Sequence, residues 1–288
     1  MRAAMDNDQA SKPAGPSPAS ATGRAGFRAL HAPGQLLILP NAWDAGSARL
    51  VAACGAAAVA TTSAGLAWSR GFPDGNVLPA DVLEAAIRDI VRAIDVPLTV
   101  DVEAGYTADP RGVGELVAML CHAGVAGINL EDGADEPELL CAKIAAARRA
   151  AALAGVDLFI NARTDVYLRR LAPAARAAGE SIDRARRYRD AGCDGIFAPG
   201  VAAPADIRAI ASAIDPLPLN AMVTAGLPAA AELRELGVRR LTAGIALAAA
   251  AYGRARQLAT QFLADGRSEP FADGAVGYAE MNALFARG

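Results

Sequence analysis

Short apolar runs alternate with longer amphipathic ones from Leu36 almost to the C-terminus, which predicts an α/β chain. Eight such units over roughly 210 residues predict a (β/α)8 TIM-type barrel. Two further observations point the same way. The phrases Ala123-Gly124-Val125, Ala191-Gly192-Cys193 and Leu236-Gly237-Val238 each end a helix on glycine and lead straight into a strand. Polar side chains embedded in apolar runs fall at the carboxyl ends of those strands, where barrels carry their chemistry. A doubly wound open sheet is the alternative, but no G-x-G-x-x-G follows a strand to support its dinucleotide-binding version.

Taken in order, the strands are expected at Leu36–Leu39, Ala57–Thr61, Leu98–Val102, Gly127–Leu130, Leu158–Ala162, Gly195–Ala198, Leu217–Ala221 and Arg239–Thr242. Helical patterns lie between them at Pro79–Ile94, Asp109–Ala123, Glu136–Ala154, Ile182–Ala191 and Pro204–Ile214. Asp109-Pro110, Glu136-Pro137 and Ala203-Pro204 suit helix starts, because proline at the first helical position lacks only an N–H that would be unpaired anyway. The connections Asp95-Val96-Pro97 and Gly155-Val156-Asp157 enter strands without chemistry-bearing groups. The chain overruns a minimal barrel, with extra C-terminal helices at Ala248–Leu263 and Gly277–Phe285. Residues 1–24, rich in Pro, Ser, Ala and Gly, are expected to form a disordered tail, leaving 25–288 as a single barrel domain with a C-terminal helical extension.

The 288 residues are 53% hydrophobic and 20% charged, which is enough to bury one large core. A net charge of −3 favours neither nucleic acid nor an anionic membrane surface as a partner. The longest apolar stretch, Leu241–Ala251, falls well short of the roughly 18 residues that span a bilayer. Cys54, Cys121, Cys141 and Cys193 are widely spaced and lack a C-x-x-C pattern, so buried thiols in a reducing cytoplasm are expected.

The acids carry the chemistry. Strands alternate faces, so Asp101 and Glu103 point one way while Val100 and Val102 point the other. Glu131 ends the next strand. Three carboxylates brought together and desolvated repel one another unless a cation sits among them, and a divalent ion with oxygen ligands is the simplest answer. Asn41, Asp44, Ser63, Asn129, Asn161, Arg163 and Asp165 fall at the same strand ends. Asp44 has a helix N-cap as its ordinary reading. Arg163 within an apolar strand needs an anionic partner, either the carboxylates or a substrate. Asp132 and Asp165 are read as structural, facing away from Glu131 and Arg163 or capping their loops. Tyr106 and Asn220 are further candidates to touch a ligand. His31 precedes the first strand and His122 sits within a helix, so neither is read as catalytic.

Five phrases in register carry a resemblance: Thr61-Thr62-Ser63-Ala64-Gly65-Leu66, Gly71-Phe72-Pro73-Asp74-Gly75, Asp101-Val102-Glu103-Ala104-Gly105-Tyr106, Gly127-Ile128-Asn129-Leu130-Glu131-Asp132 and Asn161-Ala162-Arg163-Thr164-Asp165. Over residues 36–265 the chain resembles the isocitrate lyase/phosphoenolpyruvate mutase superfamily. That resemblance implies a Mg2+-dependent enzyme, with Mn2+ as a substitute, that acts on small 2-oxo or 2-hydroxy carboxylates through an enolate-like intermediate. It also implies a homodimer or homotetramer in which the last barrel helix is exchanged between subunits. By position, Asp101 is the principal metal ligand, and Glu103, standing where most members carry a second Asp, is the second metal residue, its longer side chain reaching the ion directly where a water would otherwise intervene. Asp74 and Glu131 hold metal-bound waters. Ser63, with the amides of Ala64 and Gly65, receives the substrate carboxylate, and Arg163 pairs with it bidentately.

The chain departs from the family where specificity is set. Members that split isocitrate or methylisocitrate carry a Lys-Lys-Cys-Gly-His loop after the fourth strand, whereas this chain has Asp132-Gly133-Ala134-Asp135-Glu136-Pro137. The lysine of the mutase and phosphonopyruvate hydrolase loops is also missing. The expected function is therefore a carbon–carbon lyase, either like an oxaloacetate decarboxylase or like a methylisocitrate lyase. Phosphoenolpyruvate mutase or phosphonopyruvate hydrolase C–P chemistry is the first alternative, and non-catalytic 2-oxo acid binding the second.

Overall fold

The computed structural model describes residues 26–286, so the expected tail at 1–24 lies outside the described residues. Nine strands form one all-parallel sheet in the order β1-β9-β8-β7-β6-β5-β4-β3-β2. The two outer members, β1 (Leu37–Leu39) and β2 (Asn41–Ala42), are halves of a single stretch divided at Pro40. Proline has no N–H for the ladder, but its carbonyl still accepts from Ala60 N. Because one stretch of chain supplies both edges, the sheet curls into a nearly closed TIM-type barrel of eight staves, as the alternation predicts.

The other staves are β3 (Val59–Thr61), β4 (Leu98–Asp101), β5 (Gly127–Glu131), β6 (Phe159–Arg163), β7 (Gly195–Phe197), β8 (Leu219–Met222) and β9 (Val238–Thr242). Each lies within two residues of its expected place. β5 and β6 run one residue further than the apolar pattern, because Glu131 and Arg163 are paired across the sheet. β8 starts late because Pro216 and Pro218 cannot donate, although Pro218 O accepts from Ile196 N.

Helices α1 (Ala45–Ala53), α2 (Ser63–Ser69), α3 (Ala80–Ala93), α4 (Pro110–Ala123), α5 (Pro137–Leu153), α6 (Ala174–Asp190), α7 (Pro204–Ile214) and α8 (Ala230–Glu235) follow their strands. Prolines do open α4, α5 and α7. Helix α6 begins eight residues before its expected start, because its first turns are alanine-rich and show no apolar stripe. Asp44 caps α1, accepting from Ser47 N at 2.7 Å while the Ser47 hydroxyl takes the Asp44 N–H. The extension is α9 (Ala246–Asp265) and α10 (Tyr278–Phe285). Among the described residues no helix is long and apolar enough to cross a membrane. Cys121 and Cys193 are buried, but Cys54 is exposed in the turn after α1, contrary to the expectation of buried thiols throughout.

The main core lies between strands and helices, with Val100, Ile128, Leu130 and Ile160 packing outward. A second cluster of Phe27, Leu37, Leu39, Ala58, Ala60, Ala126 and Phe159 fills the amino-terminal half of the barrel lumen. His31 joins it, stacked on Phe159 with ring centroids 4.2 Å apart and donating from Nδ1 to Phe27 O at 3.0 Å. Burial, with Arg240 nearby, pushes the imidazole pKa down to about 3.

In the unfolded chain this histidine titrates near pH 6.5, so below that pH the unfolded state takes up a proton that the folded state refuses. Stability therefore falls as pH drops from 6.5 towards 3. Between pH 7.5 and 5.5 His31 accounts for a loss of about 1.4 kcal/mol. Urea unfolding at those two pH values isolates the term as a difference: over that interval the parent's stability change will lie about 1.4 kcal/mol below that of His31→Phe.

Candidate active site

The carboxyl ends of β3 to β6 place Ser63, Asp101, Glu103, Glu131 and Arg163 around one mouth of the barrel. The pairing register explains why. Asp101 stands beside Asn129, Asn129 beside Asn161, and Glu131 beside Arg163. Polar residues two apart on adjacent parallel strands thus stack in two inward layers. Asn161 Nδ2 donates to Asn129 Oδ1 at 2.9 Å in the lower layer. Arg163 Nη1 lies 2.6 Å from Glu131 Oε2 in the upper one.

Asp101 is anchored at two points. Its N–H donates to Thr61 Oγ1 at 2.9 Å, and its Oδ2 accepts from Ser63 Oγ at 3.2 Å. Its Oδ1 is buried without a hydrogen-bond partner. Burial raises the Asp101 pKa, with the Arg163 charge and the Ser63 bond opposing it. Burial pushes Glu131 up to about 8, while Arg163 pulls it back and Asp101 and Asp165 add to the rise. For Arg163 burial favours the neutral form, yet Glu131, Asp165 and Asp101 hold its pKa above the ordinary arginine range.

Asp165 is buried and does not face away from Arg163. It takes the planar fork, accepting from Nε at 2.6 Å and Nη2 at 3.1 Å, and also pairs with Arg169 at 3.0 Å. The bidentate grip expected for a substrate carboxylate is therefore directed at Asp165. Asp132 is structural: it accepts from Asp165 N, Arg184 Nη1 and the Tyr188 hydroxyl.

Glu103 leaves the strand at φ 49°, and its Oε2 accepts from the N–H groups of Gly75 and Asn76. Burial raises its pKa, and Asp74 and Asp101 add to the rise. Asp74 is exposed on the 71–76 loop. Ala64 and Gly65 lie in the first turn of α2, whose N–H groups precede the first intrahelical bond from Leu66 N to Thr62 O. Gly65 packs tightly: a Cβ there would meet Thr62 Cγ2 at 2.8 Å and Trp43 Cβ at 3.0 Å. Tyr106, at φ 57°, holds its phenol proton more firmly than usual through burial beside Glu103, Asp101 and Asp74.

Arg240 was not anticipated. Only 1% exposed, it enters the lumen from β9 and donates from Nη2 to Asn129 Oδ1 at 3.1 Å. Its Nε and Nη1 are buried without partners, and burial pushes its pKa down to about 9. In the Arg239-Arg240 pair, strand alternation buries the second arginine with Val238 and Thr242 while the first pairs with Asp215. Nothing in a run of two arginines says which one enters.

Among the described residues no three His, Cys, Asp or Glu side chains converge into a closed metal cage. Mg2+ does not need one: it keeps several waters and is held by one or two carboxylates together with its substrate. The buried, unpartnered Oδ1 of Asp101 fits that mode.

A family model described as phosphoenolpyruvate phosphomutase matches residues 27–263. An uncharacterised protein of Mycobacterium tuberculosis is 36% identical over 263 residues, which cover 89% of this chain and 95% of that protein. The 2-methylisocitrate lyase of Bacillus subtilis is 32% identical over 208 residues, 69% of this chain and 66% of that enzyme. A solved Burkholderia cenocepacia protein described as a phosphonomutase is 46% identical, with a TM-score of 0.78 over 82% of this chain and 98% of that one. The chain belongs to the phosphoenolpyruvate phosphomutase family. It is an enzyme of the isocitrate lyase/phosphoenolpyruvate mutase superfamily, and it has named lyases among its relatives.

Removing one partner from a buried ion network leaves the others uncompensated. Asp165→Ala will lower the unfolding free energy by about 3–5 kcal/mol in urea titrations, whereas exposed Asp183→Ala will change it by less than about 0.5 kcal/mol.

Proposed function

We propose that this enzyme is a Mg2+-dependent carbon–carbon lyase acting on a small 2-oxo or 2-hydroxy carboxylate. Asp101 carries the reading, because a buried carboxylate with one oxygen satisfied and the other unpartnered is costly unless a cation completes it. Asp101 would hold the ion, with Glu103 close behind it and Asp74 and Glu131 holding water around it. Bound Mg2+ supplies stabilisation of negative charge on the substrate's carbonyl oxygen while the adjacent bond breaks.

The protein's own groups supply the rest. Ser63 and the first-turn amides of Ala64 and Gly65 receive the substrate carboxylate. Arg163, fixed by Asp165 and Glu131, sets a positive charge beside it without having to reorganise. In oxaloacetate decarboxylation the C–C electron pair stays on the three-carbon fragment as an enolate and CO2 departs. Water at the open mouth then protonates that enolate to pyruvate. No acid is required for the leaving group, which suits a site with the short Asp132–Pro137 loop and no histidine at the mouth.

C–P chemistry is the second reading, favoured by the 46% identity to the protein described as a phosphonomutase. A phosphonate brings two negative charges to a site where Arg163 is already engaged and Arg240 is 1% exposed. That balance favours the carboxylate reading.

We also propose that the enzyme assembles as a homodimer or homotetramer that exchanges its C-terminal helices. Of the twenty residues of α9 only Ala248 is buried, while Leu247, Tyr252, Phe262 and Leu263 are exposed. Sedimentation should find a dimer or larger; a monomer at micromolar concentration overturns the exchange.

The functional test is pyruvate release from oxaloacetate and from 2-methylisocitrate, with phosphonopyruvate alongside. Parent enzyme with Mg2+ should act on a carboxylate substrate, and EDTA or Asp101→Ala should remove at least about 99% of the rate. Turnover confined to phosphonopyruvate would establish the second reading. Binding of these acids without turnover of any would leave a non-catalytic 2-oxo acid binder.

A further inference from the structure

Two loops flanking the carboxylates are tied to each other by reciprocal bonds. Glu103 Oε2 accepts from Gly75 N at 3.0 Å and Asn76 N at 2.5 Å. Asn76 Oδ1 accepts in return from Ala104 N at 3.0 Å and Tyr106 N at 3.2 Å. Lys143, buried on α5, donates from Nζ to Ala104 O at 2.8 Å. The backbone groups of the turn after β4 are thus met from both sides by side chains.

The backbone shows how much these bonds are holding. Asn76, Glu103 and Tyr106 have φ of 61°, 49° and 57°, in the left-handed region. Asparagine tolerates that region, but glutamate and tyrosine are disfavoured there and need surroundings that impose it. Asp74 stands two residues before Asn76, and Asp101 two residues before Glu103. The clasp therefore joins the segments that carry two of the site's acids. It also gives a reason for the unusual glutamate. An aspartate here would end one methylene sooner and fall short of the 75–76 amides.

We infer that Asn76 is a positioning residue, and that Glu103 is longer than the commoner aspartate because it must clasp the Asp74 loop to the turn behind Asp101. The inference rests on the Mg2+ reading above and deepens it by assigning residues that prepare the site before the ion arrives. The bonds are solvent-accessible on the Asn76 side, so the clasp governs how often the two loops are correctly set more than whether the barrel folds.

The test titrates Mg2+ into full-length parent, Asn76→Gly, Asn76→Asp and Glu103→Asp, following the Mg2+-dependent rise in melting temperature. Amide hydrogen exchange of the 75–76 and 104–106 segments is measured in parallel. Asn76→Gly keeps the left-handed backbone but loses the acceptor, whereas Asn76→Asp keeps an acceptor oxygen. Asn76→Gly and Glu103→Asp should each raise the half-saturating Mg2+ concentration about tenfold and speed exchange in both segments. Their melting temperatures in EDTA should stay within about 2 °C of the parent. Asn76→Asp should remain within about threefold of the parent. If Asn76→Gly and Glu103→Asp bind Mg2+ like a responsive parent, the clasp has no positioning role and the inference fails. An equal fall in melting temperature with and without Mg2+ also overturns it, leaving a purely structural contact. A parent with no Mg2+ response overturns the metal reading itself, and the positioning role with it.

Discussion

The carboxyl end of this barrel is organised around a single guanidinium. Arg163 is the cation that Glu131, Asp165 and Asp101 share in a space from which water is largely removed. Its position follows from backbone register: β5 and β6 pair so that residue 131 meets residue 163, and the ion pair forms across adjacent strands. Asp165 then fixes the orientation of the fork, and Asp132 fixes Asp165 through its backbone N–H. Arg184 and Tyr188 of α6 complete Asp132. A network that begins at the mouth thus ends in the helical shell, and each member is there to keep the next from being a buried, unpaired charge.

Below the mouth the lumen changes character in layers. Phe27, His31 and Phe159 pack the amino-terminal half, so closely that a Cβ on Gly127 would meet Phe27 Cε1 at 2.8 Å. Asn129, Asn161 and Arg240 form the middle, joined at Asn129 Oδ1. The charged layer sits on top. A dry lower half withholds solvent from the polar middle, so charges above it are screened from one side only. That asymmetry is why Glu131 rises to about 8 and why a fixed cation at the mouth exerts more force than it could in water.

The alternation of apolar runs located every stave of the barrel, because strand and helix periods are local properties of the chain. The division of the first stave at Pro40 was less visible, since it depends on which neighbour needs the missing N–H. The acids at positions 101, 103 and 131 were legible as strand-end carboxylates in apolar surroundings. Their partners were not. Asp165 looked structural because its bonding depends on register with a strand end two residues away. Arg240 could not be told from Arg239 because only the closed barrel shows which face of β9 meets the lumen. Asn76 lies in a polar loop whose sequence resembles any turn, and only the fold brings it to Glu103. Local patterns reveal which residues are costly to bury, whereas tertiary structure decides what compensates them.

Charge balance connects these observations to the chemistry. The mouth holds Asp101, Glu103, Glu131 and Asp165 near Arg163, with Arg240 beneath, so carboxyl groups outnumber cations there before any ligand arrives. A dianionic phosphonate would deepen that imbalance even with a divalent ion present. A 2-oxo carboxylate would add less charge at the reacting end. The short loop Asp132–Pro137 contributes acids and no cation, and Asp132 is held in the core by Tyr188 and Arg184. That side of the mouth is therefore kept from supplying a positive group to a larger anionic substrate. A site arranged in this way suits a reaction whose leaving group departs neutral, and CO2 is such a group.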